Sequence, residues 1–243
     1  MAERDAKAGE VEAEQDATQA DPLAAETARH VKGIWQYNVI VNALWMWYSI
    51  WFRPKVRGME HLPKGGRALI IANHASFLDI PLISVALRGR HVAFMARESL
   101  SKSRFLSLIM RLCGAILVAR GKGDRTALRH ASLYLRADGL VTIFAEGTRT
   151  EDGSIGEFRK GALLAARMGG APLVPCALRG TFRALPRGKI FPRPTRLEVE
   201  FFAPIDSADR SSLGQAHAIL VAALGAPSLG APSLEPTPGK PTI

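Results

Sequence analysis

His74 and Asp79 stand five positions apart in the stretch Asn73-His74-Ala75-Ser76-Phe77-Leu78-Asp79, and that pair of side-chain types can move protons. A carboxylate bonded to one imidazole nitrogen fixes the tautomer and makes the other nitrogen a better base. On a continuous helix this spacing puts the two side chains roughly 140° apart, so they could not meet. Pro81 offers a solution, because proline is tolerated in a first helical turn. A helix beginning near Asp79 leaves His74 on the preceding loop, free to turn back towards the carboxylate. Two plainer readings stand beside this one: Asp79 as a simple N-cap, and His74 as an ordinary loop histidine.

Two further polar clusters carry arginine among small residues: Arg120-Gly121-Lys122-Gly123 and Glu146-Gly147-Thr148-Arg149-Thr150. Small residues beside arginine let backbone N–H groups and a guanidinium approach a phosphate together. Taken singly, either cluster reads equally well as a solvated turn. The Walker spacing GxxxxGK[ST] is missing, as are GxGxxG and GxSxG. The chain has two cysteines. No CxxC or Cys/His cluster points to a metal, so no metal site is expected. Cys113 and Cys176 lie within or beside apolar runs and read as buried thiols rather than nucleophiles.

Each polar cluster directly follows an apolar run. Such runs occur at 68–72, 92–96, 115–119, 140–145, 173–178 and 197–202, and between them lie stretches with helical character at 79–87, 100–112, 124–137 and 158–168. Asp124 suits an N-cap and Gly139 a helix stop. The alternation predicts an α/β domain with a largely parallel sheet flanked by helices. In such sheets functional residues gather beyond the carboxyl ends of the strands, where all three clusters fall.

Outside that domain the composition changes. Residues 1–32 are acidic and poor in large apolar side chains, which predicts a disordered tail without the basic start and apolar stretch of a secretory signal. Residues 225–243 repeat GAPSL and then run PTPGKP, a second flexible tail. Residues 33–57 form a third kind of segment. Gly33 to Phe52 contains no charge and holds all four tryptophans, with Arg53, Lys55 and Arg57 directly after. As a helix it would be about 30 Å long, roughly a bilayer core. Gln36, Asn38, Asn42 and Ser49 dilute it, and indoles favour the headgroup level. It is therefore expected to be a helical segment that associates with a membrane, lying in the interface in preference to a single pass across it, ahead of a domain at 58–224. An aromatic core helix is the alternative reading.

The net charge of +10 understates the basic character of this body: residues 31–243 carry 29 basic and 14 acidic side chains. Anionic partners follow. A nucleic-acid binder would interleave bases with exposed aromatics, but the tryptophans sit in one uncharged segment, so no nucleic-acid partner is expected.

Together the clusters resemble the glycerolipid acyltransferase family. Asn73 to Asp79 is similar to its N-H-x4-D block, Gly114 to Arg120 to its Gly-x-Ile-x-x-x-Arg block, and Phe144 to Thr150 to its Phe-Pro-Glu-Gly-Thr-Arg-Ser block. Leu173-Val174-Pro175-Cys176 looks like the fourth, Val-Pro-Val. The four occur in the family's order, with Ala145 in place of the usual proline and Cys176 in place of a valine. The resemblance implies an enzyme that acylates the sn-2 hydroxyl of lysophosphatidic acid. His74 would be the general base and Asp79 its orienting carboxylate. Arg120, Glu146, Gly147, Thr148 and Arg149 would form the glycerophosphate site. The donor would be acyl-CoA or acyl carrier protein, a co-substrate rather than a cofactor. The partners would be a lysophospholipid and an anionic membrane surface, at the cytoplasmic face of the inner membrane. The same blocks fit another lyso-lipid acceptor, such as lyso-ornithine lipid. A basic, non-catalytic membrane-surface protein would leave His74 and Asp79 without a task.

Overall fold

The computed structural model describes residues 35–97, 115–118 and 123–225. Seven strands form one sheet in these residues: β1 (Lys55–Arg57), β2 (Ala68–Ala72), β3 (Val92–Arg97), β4 (Ala115–Val118), β5 (Leu140–Phe144), β6 (Leu173–Arg179) and β7 (Glu198–Phe201). Their order is β1-β7-β6-β2-β5-β3-β4. Strands β6, β2, β5, β3 and β4 are mutually parallel, whereas β7 pairs antiparallel with β6 and carries β1 beside it. The sheet is thus largely parallel, as the sequence predicts, with one reversal near an edge.

Central strands β2 and β5 are buried at every position, which is why they read as unbroken apolar runs. Side chains alternate between two cores. Ala68, Ile70 and Ala72 face a layer containing Tyr48, Phe52, Leu82 and Ile83. These come from α1 (Trp35–Trp51), its flank, and α2 (Asp79–Ala86). Leu69 and Ile71 face the other layer, where Ala131, Leu135, Ala162, Ala166 and Ala216 pack. That layer is built by α3 (Gly123–Arg136), α4 (Gly161–Gly169) and α6 (Ser212–Gly225). A short α5 (Thr181–Ala184) follows β6.

Several expectations are adjusted. The left-handed residue ending α3 is Asp138 (φ 61°), not Gly139. Gly139 is needed for another reason, since a Cβ there would lie 2.3 Å from the Tyr134 ring. Helix α4 starts at Gly161 rather than Phe158. The preceding residues are drawn away because the Arg159 N–H bonds to the Ala145 carbonyl. The helix expected at 100–112 lies outside the described residues.

Helix α1 packs against α2 with one face only. Tyr37, Val41 and Tyr48 are buried, yet Trp35, Val39, Met46 and Ile50 are exposed on the opposite side. No helix among the described residues is long and apolar enough to cross a membrane.

Candidate active site

The strands β2 and β5 are neighbours, with Ala72 opposite Phe144, so the loops that leave their carboxyl ends must meet. The first loop begins with Asn73. Its side-chain amide donates to the Leu178 carbonyl (3.0 Å) and accepts from the Leu178 N–H (2.8 Å). A buried asparagine satisfied in this way pins the end of β2 to β6. Ser76 does the same further along, its hydroxyl donating to the Leu185 carbonyl at 2.9 Å.

Between those anchors the chain doubles back. Helix α2 begins at Asp79 with Pro81 in its first turn, and His74 lies on the loop before it. Asp79 is fully buried, and its Oδ2 lies 2.9 Å from His74 Nδ1. The same oxygen accepts the N–H groups of Ala75 and Ser76, both at 2.7 Å. These donors precede the helix, so Asp79 does not act as an N-cap; it organises the loop that presents His74. With Nδ1–H donated to the carboxylate, the His74 lone pair is on Nε2. The ring is stacked on Phe144, centroids 4.1 Å apart and planes 16° from parallel.

The second loop clamps the first. Glu146 Oε1 accepts the His74 N–H (2.9 Å), and the Thr150 N–H donates to the His74 carbonyl (2.8 Å). Both polar groups of the histidine's backbone are therefore held by the turn after β5. The other Glu146 oxygen accepts the Gly156 N–H at 2.9 Å. Gly147 has φ 75°, a conformation that favours glycine, and a Cβ on it would lie 2.8 Å from Arg159 Nε, so the arginine would have to shift. Thr148 is exposed. Arg149 is half-buried, with its guanidinium carbon 3.7 Å above the Phe77 ring. Burial, and to a smaller degree the charge of Arg187, lowers the Arg149 pKa, while Asp79 opposes that shift. Of the residues singled out in the sequence, His74, Asp79, Glu146, Gly147 and Arg149 converge here. Arg120 lies outside the described residues.

Residues 53–179, just over half of the chain, match the family profile described as Acyltransferase. The chain belongs to that acyltransferase family. It is 30% identical over 159 residues to the chloroplastic 1-acyl-sn-glycerol-3-phosphate acyltransferase of Arabidopsis thaliana, covering 63% of this chain and 44% of the relative. Identity to the Bacillus subtilis 1-acyl-sn-glycerol-3-phosphate acyltransferase is 26% over 177 residues, covering 73% of this chain and 86% of the relative. The chain thus spans less than half the length of the chloroplast relative. The crystal structure of PlsC, the 1-acyl-sn-glycerophosphate (LPA) acyltransferase of Thermotoga maritima, superposes with a TM-score of 0.66 at 25% identity, covering 77% of this chain and 78% of that one.

Several side chains that shape this acyltransferase site escape a reading by motif. Asn73 and Ser76 lie inside the first block but bond to β6 and to the segment after α5. Tyr48 comes from α1: its hydroxyl donates to the Leu78 carbonyl at 3.1 Å, next to Asp79. Burial, reinforced by Asp79, holds the Tyr48 pKa well above that of an ordinary phenol. The signal available was its place with Tyr37, Val41 and Leu44 at helical spacing. Cys176 is fully buried, and burial together with Asp79 and Glu200 pushes its thiol up, away from nucleophilic chemistry.

Proposed function

We propose that this protein transfers a fatty acyl group from acyl-CoA or acyl carrier protein to the sn-2 hydroxyl of lysophosphatidic acid, giving phosphatidic acid for phospholipid synthesis. The observation that carries the reading is the His74–Asp79 pair, with Nδ1 engaged by a buried carboxylate and Nε2 left as base. A secondary hydroxyl is a poor nucleophile at neutral pH. His74 Nε2 takes its proton as the oxygen attacks the thioester carbonyl, and Asp79 stabilises the imidazolium. Collapse of the tetrahedral intermediate breaks the carbon–sulfur bond, and the leaving thiolate takes the proton back from His74. Arg149, together with Arg120, binds the acceptor phosphate, and the Arg159 side chain packs against Gly147. The names of the relatives support this acceptor.

The acceptor and product are membrane lipids, which gives the outer face of α1 a purpose. A helix apolar on both faces is ordinarily buried on both, and this one buries only the face carrying Tyr37, Val41 and Tyr48. The opposite face, Trp35, Val39, Met46 and Ile50, lies in the headgroup region of the cytoplasmic leaflet.

The activity is tested by supplying radiolabelled lysophosphatidic acid or lyso-ornithine lipid with each acyl donor and identifying the product. Labelled phosphatidic acid is the expected outcome. Acylation of lyso-ornithine lipid alone would move the chemistry to a phosphate-free acceptor.

A further inference from the structure

The two most exposed large apolar side chains among the described residues are neighbours outside the catalytic machinery. Ile190 is 83% and Phe191 86% exposed, at the tip of the loop joining α5 to β7. The loop is not free to hide them. Its base is closed by the Arg193 N–H donating to the Ala184 carbonyl (2.8 Å), and a turn inside it by the Lys189 N–H donating to the Pro186 carbonyl (3.1 Å). Gly188 takes φ 83° in that turn, and Pro186, Pro192 and Pro194 restrict the rest. Two adjacent apolar side chains are thus held out into solvent, at a cost that needs a compensating surface.

Charge identifies the surface. Residues 180–197 carry Arg183, Arg187, Lys189, Arg193 and Arg196 and no acidic residue. An apolar tip ringed by cations fits an anionic leaflet, with the tip among acyl chains and the bases among headgroups. Position supports the same partner. Pro194, Thr195 and Arg196 line a groove of about 440 Å³ with Ile50, Trp51, Phe52 and Arg53, so the returning arm of the loop borders the end of α1. From these observations we infer that the Ile190–Phe191 loop is a second lipid-contact element, seated in an anionic leaflet beside α1. That the loop is a second contact, rather than the first, rests on the reading of α1 as lipid-facing. Its consequence is orientation: one helix can roll on a surface, whereas two separated contacts fix the domain. The loop is also tied to the site, since the buried Ser76 hydroxyl bonds the Leu185 carbonyl at its base and Arg187 pairs with Glu151 at 2.7 Å.

The test uses the full chain, flotation with phosphatidylcholine vesicles with or without phosphatidylglycerol, and lysophosphatidic acid presented in vesicles or as a dispersed short-chain monomer. Ile190→Ser/Phe191→Ser should bind vesicles about tenfold more weakly. Its turnover should fall more on vesicle-borne than on monomeric acceptor. Lys189→Gln/Arg193→Gln should lose preference for phosphatidylglycerol vesicles, by roughly fivefold per charge. All four positions are exposed, and thermal melts check that the variants fold. Unchanged flotation of the serine variant overturns the inference. Equal loss on both acceptor forms overturns it too, by making the loop part of the site. So does a change in sedimentation mass with flotation intact, which would make the tip a contact between protein copies. Val39→Ser/Met46→Ser/Ile50→Ser separates the two lipid readings. If it is released from vesicles while the loop variant floats normally, the loop fails alone. The converse removes the α1 reading and leaves the loop standing.

Discussion

The loops that follow β2 and β5 lie side by side and are built on opposite plans. After β2, Asn73, Ala75, Ser76, Leu78 and Asp79 are buried, and the side chains of Asn73, Ser76 and Asp79 are spent on holding the backbone. After β5, Thr148 and residues 151–154 are exposed. Asp152 there accepts from Thr150 and Ser154 only to shape a surface turn, which lowers its carboxyl to about 2. The first loop is organised before any substrate arrives, as the proposed proton transfer requires. The second is open, as the proposed charged acceptor requires. Glu146 is where the plans join: it belongs to the second loop by sequence and serves the first by its bonds.

That contrast makes damage to the first loop a loss in kcat and damage to the second a loss in affinity. His74→Ala should lower kcat by about 10²–10⁴-fold with a nearly unchanged melting temperature. Asp79→Asn should lose most activity as well, because it misorients the imidazole. Near-normal turnover by folded His74→Ala would sink the mechanism. Glu146→Gln should come next, with kcat down about tenfold, since a single amide oxygen replaces two acceptors of backbone N–H groups. A rise in acceptor KM at unchanged kcat would instead put Glu146 on the substrate. Arg149→Ala should raise acceptor KM about tenfold or more while leaving donor KM alone, the usual loss for one side of a charge-assisted contact; steady-state kinetics with each substrate varied decides it. Phe77 belongs to the first loop by sequence, but its exposed ring serves Arg149 of the second, so Phe77→Leu should give a smaller shift in acceptor KM, about threefold. Least of all should happen at Cys176. Its thiol is held protonated, so mass spectrometry of protein treated with iodoacetamide at pH 8 should find that residue unlabelled.

Legibility in the sequence followed the kind of contact each residue makes. Strands β2, β5 and β6 are covered on both faces, and burial wrote itself into them as uninterrupted apolar runs. Strand β1 is an exposed edge, Lys55-Val56-Arg57, and nothing in those residue types distinguishes a strand from a basic cluster. Helix α6 is anticipated by no run or cap, although it covers one face of the sheet through Ala216 and is tied at Ala223 to Arg179. At the site, Pro81 made the His74–Asp79 encounter readable because proline constrains where a helix can begin. The partners of Glu146 could not be read at all: they are backbone amides, which every residue possesses. Arg120 followed an apolar run like the other clusters, but its place lies outside the described residues.

Tyr48 and Phe52 carry a consequence for any attempt to remove α1 from the chain. Both are wholly buried in the layer beneath β2, and the Tyr48 hydroxyl braces the turn that leads into Asp79. Cutting the chain after residue 57 would therefore remove a wall of the building rather than its mooring line. With Tyr37, three large aromatic side chains would be missing from the interior, at a cost of about 3–5 kcal/mol for each such aromatic truncated. The proposed lipid contact is better removed by resurfacing, with Val39, Met46 and Ile50 exchanged for glutamine or glutamate while the inward stripe is left untouched.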